Sequence, residues 1–106
     1  MPEIKDEIKC PMRFLLKMIG GKWKPLILQQ LKEDKQRFGA LGRLIPEINK
    51  QMLTKNLREL ENDGIIIRKV FPVVPPKVEY SLSEKGKSLI PVLELMENWG
   101  KEQLNK

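Results

Sequence analysis

Lys50, Gln51, Thr54, Lys55 and Arg58 are the residues whose types and spacing point most directly to chemistry. At about 100° per residue along a helix, Lys50, Gln51, Thr54 and Arg58 share one face and Lys55 flanks it. That face carries donors and positive charge, with no carboxylate among its best-placed members, and suits an anionic groove. An ordinary solvated helix face shows the same pattern, so the surrounding segments have to decide. The other reactive group is Cys10, which opens a separate helix beside Lys9 and Arg13. Amide dipoles and cations at such a position suit thiolate chemistry, whereas a free cysteine is equally often a small hydrophobe filling an interface.

What is missing narrows the classes. One cysteine and no histidine exclude an internal disulfide and a His-dependent catalytic triad, and they argue against a structural zinc or Cys/His sensor site. Gly20-Gly21 is a lone pair, without the further glycines of a phosphate-binding loop. Twenty Lys and Arg against 14 Asp and Glu give a net charge of +6, consistent with a polyanion-binding surface. At 106 residues the chain is expected to form a single domain over 1–106. No long apolar run or leader is evident, so no membrane partner and a cytoplasmic location are expected.

The polar-basic face needs a scaffold. Asn49 as N-cap and Gly64 as the closing left-handed glycine predict a helix from Asn49 to Asp63, with Leu53, Leu57 and Leu60 turned to a core. Ile65 to Phe71 is β-branched and aromatic, Val73 to Pro76 is a turn, and Lys77 to Leu82 alternates with Val78, Tyr80 and Leu82 on one side, which together read as a hairpin with basic residues near its tip. Upstream, Met1 to Lys9 reads as a loosely held arm. Pro11 opens a helix with Phe14, Leu15, Met18 and Ile19 on its apolar side, ended by Gly20-Gly21, and Trp23 to Glu33 is a second helix with Trp23, Ile27, Leu28 and Leu31 inward. Arg37-Phe38 is expected as a very short strand and Gly39 to Leu44 as a short helix, with Phe38, Leu41 and Leu44 inward. Ser83 caps a last helix running to about Gln103, in which Pro91 either causes a kink or marks the true start. A short helix, a turn, a helix with a polar-basic stripe and a basic hairpin follow in the order of a winged helix-turn-helix.

At this point the chain resembles the HxlR-type regulators, a group close to the MarR-like winged-helix transcription factors. The resemblance is carried by Cys10-Pro11, GGKWKPLIL at Gly20 to Leu28, Arg37-Phe38 with Leu41, MLTKNLRELENDGII at Met52 to Ile66, and VPPKVEYSLSEKGKSL at Val74 to Leu89. It implies a mostly α fold with a small β-hairpin (α+β), a winged helix-turn-helix with extra N- and C-terminal dimerisation helices. It also makes Gly39 to Leu44 the first helix of the motif and Ile45 to Ile48 its turn. Ala40 stands where members usually carry an acidic residue, and Glu47 where a small residue is usual. Glu47 either helps cap the next helix through its charge or alters the contacts made there.

The expected function is a homodimeric, sequence-specific, DNA-binding transcriptional regulator on a pseudo-palindromic operator, with no catalytic residue, metal or cofactor. Asn49, Lys50, Gln51, Thr54 and Arg58 are expected at base edges or phosphates, where Gln can pair with adenine and Arg or Lys with guanine. Lys55, Arg68, Lys69 and Lys77 are expected at phosphates, and Arg37 is expected among the DNA-binding residues. Phe14, Leu89, Val92, Leu93, Met96 and Trp99 are expected at the dimer interface, since with Ile90 and Leu95 they exceed what one small core requires. Several members of the resembled family sense oxidants or electrophiles through a cysteine at the Cys10 position, so an oxidant or small-molecule effector is expected. A winged-helix module that binds a protein partner is the alternative; its groove would more often expose apolar side chains than basic ones.

Overall fold

The computed structural model describes residues 9–106, so the arm expected over Met1 to Lys9 lies, apart from Lys9, outside the described residues. The elements in order are α1 (Pro11–Ile19), α2 (Lys24–Leu31), β1 (Gln36–Arg37), α3 (Phe38–Leu44), α4 (Lys50–Asn62), β2 (Ile66–Phe71), β3 (Lys77–Leu82), α5 (Glu84–Lys87) and α6 (Ile90–Leu104). This is the α+β winged helix-turn-helix arrangement expected from the sequence.

Each helix starts where local chemistry allows. Pro11 and Pro25 occupy first-turn positions of α1 and α2, where a missing amide costs nothing. The α4 helix begins at Asn49, whose Oδ1 accepts a hydrogen bond from the Met52 amide at 2.8 Å, satisfying a donor that has no partner within the helix. Just past its C-terminus, Gly64 takes φ +76°, a conformation in which a Cβ is disfavoured. The chain can therefore turn directly into β2.

β3 is the central strand of an antiparallel sheet ordered β1-β3-β2. Its register pairs Arg68 with Tyr80 and Lys69 with Glu79 on one side, and Gln36 with Tyr80 and Arg37 with Glu79 on the other. Tyr80 and Leu82 are buried and Val78 packs on the core, as the alternation requires. The core is assembled from Ile27 and Leu28 of α2, Leu41 of α3, Leu53, Leu57 and Leu60 of α4, and Ile65. Burying α4's whole leucine stripe fixes which face of that helix remains in solvent.

Several expectations change. The short strand is Gln36–Arg37, and Phe38 instead begins α3. The second helix is shorter than Trp23 to Glu33, with Trp23 at its N-cap position. Leu44 is exposed rather than inward. The last helix is two helices: Ser83 caps the single turn α5, and α6 restarts with Pro91 in its first turn. Pro91 marks a start because its ring and missing amide are tolerated there and not deeper in a helix.

The break is tied down at one corner. The Ser83 hydroxyl accepts from the Gly86 amide at 3.0 Å, and its proton is shared between the Gly64 and Ile65 carbonyls at 2.5 and 2.9 Å. Gly86 packs so closely on that carbonyl that a Cβ would overlap it.

Candidate nucleic-acid interface

With its leucines buried, α4 presents Lys50, Gln51, Thr54, Lys55, Arg58 and Glu59 along one shallow surface depression. All but Thr54 and Glu59, which are half-buried, are exposed. The five residues expected on this face are thus together, at the N-terminal end and middle of a helix that starts at the exposed cap Asn49. Glu47 is exposed, and the side-chain cap is Asn49's.

A second cleft opens between α4 and the hairpin. It is lined by Thr54, Arg58 and Glu61 of α4, by Arg68, Val78 and Tyr80 of the sheet, and by Phe38. Arg58 and Arg68 therefore converge from separate elements.

The remaining basic residues of the hairpin are placed differently. The ammonium groups of Lys69 and Lys77 lie 4.9 and 4.7 Å from the centre of the Phe71 ring, and Lys77 also pairs with Glu79 at 3.2 Å. Arg37 and Lys69 are the Cα partners of Glu79 on its two sides. Of these, Lys77 has its charge partly compensated by the Glu79 carboxylate. Past Phe71, the tip itself is Pro72-Val73-Val74-Pro75-Pro76, exposed throughout and uncharged, so the basic residues lie on the arms of the hairpin and not at its turn.

One pair was not anticipated. Lys24 is buried at 9% exposure, and its ammonium meets Glu59 Oε1 at 2.8 Å. That hydrogen bond is the main reason the Glu59 carboxyl is held below its ordinary value of 4.5; partial burial opposes it, and the charges of Lys24 and Lys55 add to the lowering. The signal was in the sequence: residues 24, 27, 28 and 31 have the spacing of a core stripe, and a lysine on such a stripe requires a partner.

The expected interface residues divide. Leu93 is buried in the chain's own core and Leu89 packs against it, so Leu93 is not available to a partner chain. On the same helix, Gln29 Nε2 of α2 donates to Glu97 at 2.8 Å and Lys32 of α2 approaches Glu94 at 3.9 Å. Val92 is half-buried, while Phe14, Met96 and Trp99 are exposed, together with Met12, Leu16, Leu95 and Leu104. Cys10, just before α1, is exposed and free. Among the described residues no cluster of metal-ligating side chains occurs, and no helix is long and apolar enough to cross a membrane.

The pattern of the HxlR-like helix-turn-helix family matches residues 18–106. The chain belongs to this family. Among relatives, it is 53% identical over 96 residues to an uncharacterized HTH-type transcriptional regulator of Methanothermobacter thermautotrophicus, covering 91% of this chain and 73% of that protein. It is 52% identical over 102 residues to the HTH-type regulator YtcD of Bacillus subtilis, covering 96% and 81%. The structure of the redox regulator HypR in its oxidized form is similar at a TM-score of 0.85 and 48% identity, over 88% of this chain and 96% of that one. This HxlR-family chain is accordingly a helix-turn-helix transcriptional regulator and not an enzyme.

Proposed function

We propose that this regulator binds double-stranded DNA sequence-specifically as a homodimer, with one α4 helix per subunit entering successive major grooves of a pseudo-palindromic site about 34 Å apart. The observation that carries the reading is the α4 surface: burial of Leu53, Leu57 and Leu60 leaves Lys50, Gln51, Thr54, Lys55 and Arg58 as a continuous donor-rich strip beside an exposed helix start. Gln51, Lys50 and Arg58 have the donors for base edges, and Arg58 and Arg68 bring two cations, against the one carboxylate of Glu61, to the neighbouring cleft where a backbone phosphate would lie. The exposed apolar side chains of α1 and α6 supply the dimer contact, through Phe14, Met96 and Trp99 with Val92 and Leu89 at the margin.

Cys10 is the site of an oxidant response. Its support is an exposed thiol at the head of α1, the helix proposed to meet the partner subunit, and the similarity to HypR, a redox regulator. Oxidation would join two Cys10 thiols across the dimer, or one Cys10 to a small thiol, with the oxidant taking up two electrons and two protons.

Fluorescence anisotropy tests both levels. The chain is titrated with the duplex upstream of its own gene and with random duplex, at two salt concentrations, before and after diamide, for wild type and Cys10→Ser. Selective, salt-steep binding that diamide alters only when Cys10 is present supports the full reading. Selective binding indifferent to diamide removes the sensor, and absence of selectivity for any selected DNA removes the operator reading.

A further inference from the structure

Building on that DNA-binding reading, we infer that Lys24 is a charge-masking residue for the recognition surface: from outside the helix-turn-helix it neutralises Glu59, the one carboxylate lining the α4 depression. Glu59 stands four residues beyond Lys55 and next to Arg58, and it shares their depression with Lys50, Gln51 and Thr54. Its side chain is 43% exposed, so a duplex seated on α4 would meet a negative charge at the Lys55 edge of the donor strip. Lys24 comes from α2 with its side chain only 11% exposed and places its ammonium 2.8 Å from Glu59 Oε1. A lysine held this far out of water has surrendered most of its hydration, and the carboxylate supplies what replaces it. Lys17 and Asp63 line the cleft on the far side of the pair. Because Lys24 is anchored by the α2 backbone beside buried Ile27 and Leu28, its charge stays at Glu59 and does not wander to the phosphates.

Random-sequence duplex is the appropriate probe, since non-specific affinity is almost entirely electrostatic. Lys24→Met keeps the length and apolar stem and uncovers the carboxylate; affinity falls about three- to tenfold, as expected for one added negative charge near phosphates at a protein surface. Glu59→Gln keeps an acceptor for the ammonium and removes the charge, so affinity rises by a similar factor. The double variant returns to within about twofold of wild type, because the two charge changes cancel. Thermal melting of each variant checks that it folds, and Glu59→Gln decides the matter even if Lys24→Met does not. A pair acting only as a strut gives a different pattern: Lys24→Met and the double variant weaken alike and Glu59→Gln changes nothing. That pattern, or three unchanged affinities, overturns the masking while leaving DNA binding intact. A wild-type chain that binds no duplex overturns the DNA reading and the masking together.

Discussion

Replacing Trp99 by Gln tests whether the exposed apolar surface of α6 is a subunit interface. Trp99 is 67% exposed in the isolated chain; with about 250 Å² for a whole tryptophan, about 170 Å² of it remains to be covered. At about 25 cal/mol per Å², full coverage contributes up to about 4 kcal/mol per subunit, and two-fold symmetry counts it twice. Ordering each ring costs about 1 kcal/mol, and coverage in a real interface is incomplete. A loss of at least about 3 kcal/mol is therefore expected, which is about a hundredfold in the dimer Kd. Glutamine retains helix propensity, so α6 itself should persist. Sedimentation equilibrium over a range of concentrations reads the Kd, and the melting temperature of the dilute monomer reads the fold. An unchanged Kd would refute the interface. A lowered monomer melting temperature with an unchanged Kd would place the ring against its own domain.

Three further outcomes follow from particular contacts. Asn49→Ala removes the cap on Met52 and should cost about 1 kcal/mol in urea unfolding, with Asn49→Ser restoring it; if DNA affinity falls in both variants, Asn49 contributes more than its cap. Gly86→Ala drives a methyl into the Ile65 carbonyl and should lower stability by about 1–3 kcal/mol, and an unchanged urea midpoint would contradict the close approach. The Glu59 carboxyl is held below 4.5 by Lys24, so the folded chain takes up that proton less readily than the unfolded chain. Its stabilisation is present above 4.5 and fades as pH falls through the lowered pKa. With Glu59 43% exposed, the deficit of Glu59→Gln should be about 1 kcal/mol or less near neutrality and shrink on acidification; a deficit independent of pH would contradict this.

Much of the site was legible before any tertiary contact was known. The α4 boundaries follow from Asn49 and Gly64, the core side from the leucine spacing, and the hairpin from alternation around a proline-rich turn. Each of these is settled within a single stretch of fewer than about 20 residues of chain. Contacts between distant elements are not. Leu93 matches its neighbours by periodicity, and only its packing into the apolar core turns it inward. Lys77 and Glu79 share one face of β3 by alternation alone, whereas only the β2–β3 register sets Lys77 opposite Phe71.

The sequence by itself determined where α4 begins and ends and which side chains it presents, because caps, glycine dihedrals and side-chain periodicity act over one or two turns. The tertiary structure alone decided how charges are shared. Lys24 and Glu59 are 35 positions apart and belong to different helices, yet they close to 2.8 Å. Coulomb energy depends on distance and exposure in space, and neither can be read from separation along the chain.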